Sequence, residues 1–154
     1  MKQHEFAIST VWTGNAGTGT SAYGAYRRDH LIEGAGKRAP IEGSSVPQFR
    51  GDASRYNPEE LLVASLSACH MLWYLHLCAD AGIAVTAYRD EASGTLALSP
   101  GGSGQFTRVV LRPHVTLADA SQAPEARALH RAAHEKCFIA ASVNFPVDCE
   151  PAAP

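Results

Sequence analysis

An uninterrupted apolar run is missing from this sequence. Met1-Lys2-Gln3-His4-Glu5 has no hydrophobic segment of the kind a secretory signal needs, and no stretch of membrane-spanning length elsewhere is free of polar residues. A cytoplasmic protein is the expectation. Charge of one sign is equally scarce: 15 acidic against 13 basic residues give a formal net charge of -2. That balance makes no electrostatic case for nucleic acid or an anionic membrane as partner, and favours small uncharged ones. Repeats and linkers are absent too, so the 154 residues are read as a single domain, 1–154, large enough to bury a core without staples. Cysteine is sparse, at four. In a reducing compartment these suit reactivity, metal binding or core packing better than a disulfide framework.

What is present reads as α+β. Phe6, Ile8 and Trp12 fall on alternate positions with Thr10 between, the period of a half-buried strand. After the loose stretch Gly14 to Gly19, an extended pattern resumes from Tyr23 to Ile32. Gly34 to Tyr56 loses all periodicity and reads as a long loop, with Arg38, Arg50 and Arg55 in it and room for short pieces of strand. Asn57-Pro58-Glu59-Glu60 then starts a helix, since Asn caps free amides, Pro suits the first turn and two carboxylates oppose the positive dipole end. This helix is expected to run to about Asp80, with Gly82 as its stop. Its stretch from Leu61 to Leu77 is apolar almost all round, which predicts burial on most sides, and it is judged too short and too polar for a bilayer.

Two long strands are expected over Ile83 to Leu98 and Phe106 to Leu117, joined by a Gly/Ser-rich connection. A second helix follows from Ser121 or Ala123 to about Lys136. Val143, Phe145, Val147 and Cys149 alternate as a last strand, and Pro151 to Pro154 is read as a frayed end.

Cys69 sits mid-helix, away from any helix N-terminus and in a segment expected to be buried, so a reactive thiolate there needs a cation. Packing as a small core residue is the plainer alternative. Cys137 lies at the end of the second helix. Cys78 and Cys149 read as inert, the first too far along the helix to pair with Cys69 and the second on an alternating strand face.

Asn57-Pro58-Glu59-Glu60-Leu61-Leu62, Ser67-Ala68-Cys69 and Gly82-Ile83, together with Ala133-His134-Glu135-Lys136-Cys137 and the N-terminal Trp12-Thr13-Gly14, resemble the OsmC/Ohr family. The resemblance spans essentially the whole chain. It implies antiparallel sheets wrapped around two central helices, an intertwined homodimer with sites at its interface, and reduction of organic hydroperoxides by a dithiol, in several relatives a lipoylated protein. It makes Cys69 the peroxidatic and Cys137 the resolving cysteine, Glu59 the acidic residue ten places earlier, and calls for an arginine. No separate cofactor is implied. The chain departs from the family at His70, where relatives usually carry an aromatic residue, and at Phe138, where they often carry proline.

The chemistry fits these residue types. A thiolate attacks a peroxide, an alcohol leaves, and the sulfenic acid condenses with a second thiol. Arginine suits the site because it stays charged when buried and its fork holds several acceptors. Arg50 is preferred over Arg55 and Arg28. Glu59 lies about 15 Å along the helix axis from Cys69 and is expected to act from a partner chain. Two other readings stay open. One is a non-catalytic module that binds a hydrophobic small molecule. The other is a metal-dependent enzyme using His130 and His134, one turn apart, with Cys137. His70, about 100° around the helix from Cys69, is read as core, as are Trp73 and His76.

Overall fold

Asn57 and Glu60 close a reciprocal cap on the long helix: the Glu60 amide donates to Asn57 Oδ1 at 2.8 Å, and the Asn57 amide donates to Glu60 Oε2 at 3.1 Å. The structure, a computed structural model, describes residues 1–152, and the chain divides into two compact units, Met1–Leu61 and Leu62–Pro154.

The first unit holds an antiparallel sheet in the order β1 (Ser9–Trp12), β2 (His30–Glu33) and β3 (Ile41–Gly43). The strands are shorter than the alternation predicts. Residues 13–29 form a loop pinned by its own contacts: Trp12 Nε1 donates to the Arg27 carbonyl at 2.9 Å, and Gly14 is packed so closely on that carbonyl that no side chain fits there. The expected long loop contains β3 and a 3-10 turn at Pro47–Phe49.

Helix α1 (Pro58–Asp80) ends as expected, Gly82 taking φ 70°. Its burial is narrower than its composition predicts. Leu66, His70, Tyr74 and Cys78, spaced four apart, form the buried stripe, while Ala64, Ala68 and Leu72 face outward, Leu72 being 64% exposed. By length and composition α1 could also cross a membrane, contrary to the expectation drawn from its polar members, so that argument alone does not exclude a span.

In the second unit both expected long strands break. β4 (Val85–Asp90) and β5 (Ser93–Leu98) join different sheets, as do β6 (Gly104–Leu111) and β7 (Pro113–Leu117): β4 pairs antiparallel with β7, and β5 with β6. Asp90 and Pro113 explain the break. The Arg112 amide turns out of the ladder to donate to Asp90 Oδ1 at 2.6 Å, and Pro113 has no amide to restore it. The other Asp90 oxygen accepts from Ser67 Oγ on α1 at 2.6 Å, tying the corner to the helix. Helix α2 (Ala123–Lys136) matches its predicted span, and β8 (Val147–Cys149) is confined to the end of the expected last strand and pairs parallel with β6. Pro151 and Ala152 are not frayed, since Arg127 donates to both carbonyls and the Ala152 amide donates to Pro113. Residues 153–154 of that expected end lie outside the described ones.

Candidate active site

Cys69 and Cys137 are brought together. Cys69 is half-buried near the middle of α1; Cys137 caps the C-terminus of α2 and is 2% exposed. Both are free thiols. Burial, then the Cys69 thiol beside it, push Cys137 up to about 11, partly opposed by the Ala140 amide, which donates to its sulfur at 3.4 Å. Cys137 is therefore a protonated, shielded thiol at neutral pH, and Cys69 is the one of the pair open to a solute.

Aromatic side chains flank the pair. Trp73, one turn along α1 from Cys69, meets Phe138 edge to face with ring centroids 5.7 Å apart, and Phe138 itself is 70% exposed. Lys136 Nζ stands 5.4 Å from the Trp73 ring. Trp73 packs against the core, as expected, and also reaches Phe138. Its helical offset from Cys69 was the available signal, whereas nothing local in the sequence places Phe138 against it.

Glu59 and Arg50 belong to the first unit. Glu59 occupies the first turn of α1 and is partly buried. Arg50 caps the 3-10 turn with φ 62°, and its guanidinium packs near Gly24. Among the arginines weighed against it, Arg28 is held by the Tyr23 and Tyr26 carbonyls and covers both rings, and Arg55 pairs with Asp52 at 3.7 Å. Arg50 makes no ion pair among the described residues, which leaves its fork free.

The metal set His130, His134 and Cys137 is not what the fold assembles. His130 instead meets His70 and Cys149, two residues read as core and inert strand face: His70 Nε2 lies 3.0 Å from His130 Nδ1 and 3.6 Å from Cys149 Sγ. Burial lowers both histidines to about 4, assisted at His130 by His70 and Arg127, and opposed at His70 by Asp90. Burial, with Asp90, pushes Cys149 up to about 12. Local periodicity could not reveal this cluster, because its members come from α1, α2 and β8.

A cavity of about 270 Å³ lies beside it, with Tyr74, Val115, Leu117 and Arg127 in its wall.

The family model for OsmC-like proteins matches residues 51–151. Among solved structures, an OsmC-like protein of unknown function from Vibrio cholerae shares 32% identity over 97% of this chain and 100% of its own, with a TM-score of 0.86. More distant are an organic hydroperoxide resistance protein OsmC from Legionella pneumophila (19% identity, 97% of each chain, TM-score 0.65) and the organic hydroperoxide resistance protein OhrB of Bacillus subtilis (22%, 96% and 98%, TM-score 0.62). Those two likenesses show the fold, α+β with antiparallel sheets and two helices. No curated protein matches the chain.

Proposed function

Because the chain belongs to the OsmC-like protein family, we propose that it is a thiol-dependent peroxidase that reduces organic hydroperoxides to alcohols. The observation that carries this reading is the meeting of two free thiols, 68 residues apart in sequence, one accessible and one shielded.

In the proposed reaction the Cys69 thiolate attacks the outer peroxide oxygen. The O–O bond breaks, the alkoxide leaves and takes a proton to become the alcohol, and Cys69 becomes a sulfenic acid. The Cys137 sulfur then attacks the Cys69 sulfur; hydroxide leaves, joins the Cys137 proton as water, and a disulfide remains. A dithiol, possessing the two electrons and two protons required, restores both thiols and becomes a disulfide itself. A lipoyl group has this chemistry. Arg50 is assigned the cation that favours the Cys69 thiolate, and Glu59 the carboxylate that orients it, both in a homodimer in the cytoplasm. The outward Ala64, Ala68 and Leu72 face of α1 is consistent with such a dimer.

The test is turnover of cumene hydroperoxide with dihydrolipoamide, together with mass spectrometry after one equivalent of peroxide. Cys69→Ser should abolish turnover, and the wild type should lose two hydrogens from the Cys69 and Cys137 peptides alone. Undiminished turnover in Cys69→Ser, or a disulfide between other cysteines, would remove the proposal. The binding-module reading has the apolar cavity in its favour, and gains if neither Cys69 nor Cys137 is oxidised by the peroxide.

A further inference from the structure

We propose that His70 Nε2, His130 Nδ1 and Cys149 Sγ form a three-ligand zinc site where α1, α2 and β8 meet. Three ligand atoms converge there within 4.8 Å of one another, on residues that are 0% and 5% exposed in the case of the histidines and partly buried in the case of the cysteine.

The ligand separations approach those of a tetrahedral ion, although the two imidazoles, 5° from coplanar with centroids 5.3 Å apart, face each other head-on and must turn to aim both lone pairs at it. With Zn–N of about 2.0–2.1 Å and Zn–S of about 2.3 Å, adjacent ligands stand about 3.4 Å apart for two nitrogens and about 3.6 Å for nitrogen and sulfur. The observed edges are 3.0 Å and 3.6 Å. The third edge, at most 4.8 Å, closes only if the Cys149 side chain and both rings reorient.

The proton inventory favours a cation at this point. His70 Nε2 faces both His130 Nδ1 and Cys149 Sγ, yet an imidazole nitrogen has one lone pair or one proton and makes one good hydrogen bond, so one contact is always poorly served. A zinc ion uses the lone pairs of all three atoms at once, and Cys149 releases its proton to solvent on binding. Binding sets the His70 proton on Nδ1, a buried atom with no hydrogen-bond partner among the described residues, and the free energy of metal binding has to outweigh that unsatisfied donor.

The surroundings hold the ligands in place. Tyr74 stacks on His130 at 4.0 Å between ring centroids, 8° from parallel, which limits rotation of that ring. His130 and Cys149 also line a cleft with Arg127, Arg131 and His134, so the fourth position is open to water or a small anion. This donor set suits zinc: imidazole and thiolate together select it over calcium and magnesium, which take oxygen ligands. The site uses neither sulfur of the Cys69 and Cys137 pair and does not rest on the peroxidase reading.

Cobalt(II) is the probe, because its bond to a thiolate gives a charge-transfer absorption that zinc lacks. Reduced protein titrated anaerobically with cobalt chloride should develop that band up to one equivalent and lose it when zinc is added. Cys149→Ser, checked for native circular dichroism, should lose the band, while the double variant Cys69→Ser/Cys137→Ser should keep it. A wild type without the band, a band that survives Cys149→Ser, or one that disappears in the double variant would overturn the site. A second measurement needs no variant: zinc should slow alkylation of Cys149 by about tenfold or more and leave Cys69 unaffected. Equal Cys149 rates with and without zinc would also overturn it.

Discussion

Trp73 and Phe138 meet edge to face at 5.7 Å, one carried by the helix of Cys69 and the other by the residue that follows Cys137. The contact joins the C-terminal end of α2 to α1 beside the two thiols, and it leaves most of the Phe138 ring available to a solute. Phe138 stands where the OsmC/Ohr resemblance leads one to expect proline.

Phe138→Ala should therefore weaken recognition of aryl hydroperoxides more than of small alkyl ones. An aromatic contact is worth about 0.5–1.5 kcal/mol beyond area burial, which corresponds to a loss of about two- to tenfold in kcat/KM for cumene hydroperoxide. Steady-state rates with cumene and tert-butyl hydroperoxide measure this. Equal losses on both substrates would show that the ring has no part in selecting them.

Cys137→Ser should separate the two halves of the proposed cycle. The first attack needs Cys69 alone, so one equivalent of peroxide should still be consumed, leaving a sulfenic acid that dimedone traps at Cys69. Failure to find that adduct, with the peroxide consumed, would place the oxidation elsewhere.

The paired histidines predict acid lability. In protein without bound metal, His70 and His130 are held at about 4 against 6.5 for the free side chain. Below pH about 6.5 the unfolded chain binds protons that the folded chain refuses, so stability falls as pH drops toward 4. Asp90 on β4 moderates the effect at His70; His134 and Arg127 on α2 add to it, and Tyr74 and Cys149 flank the rings without charge at these pH values. At the alkaline end Cys137 and Cys149 are raised from 9.0 to about 11 and about 12, so the unfolded chain loses those protons first and stability falls above pH about 9. Urea midpoints across this range test both limbs, and a midpoint that does not move between neutral pH and pH about 4.5 would contradict a neutral buried pair.

Leu66 is fully buried on the α1 stripe against Val109 and Leu111. Leu66→Ala should cost about 2–5 kcal/mol, the sum of lost transfer free energy and a cavity that strands held by ladder hydrogen bonds fill only partly. Chemical denaturation measures it. Leu72→Ala, on the outward face, should barely change the stability of an isolated monomer, and a loss comparable to that of Leu66→Ala would show that this face is covered in solution.

Residues acting within a single turn were legible from the chain. The Asn57 to Glu60 cap, the Gly82 stop and the Pro124 start of α2 follow from residues that bond to, free or restrict their own backbone. The breaks in the long strands were not legible, because the Arg112 amide leaves its ladder for Asp90, 22 residues away. Alternation reports which side chains are apolar and carries no information about where a strand changes sheets.

The same division holds for the candidate site. Sequence by itself determined that Cys69 lies mid-helix, that Cys137 ends the second helix, and that both occupy segments resembling one family, since helical spans and motif spacing are local properties. Only the tertiary structure decided that these two thiols are neighbours, that Phe138 closes on Trp73, and that His130 turns to His70 and Cys149 and leaves His134 and Cys137 out. The physical reason is that such contacts depend on how α1, α2 and β8 cross in space, which is set by the packing of faces drawn from the whole second unit and by no single segment.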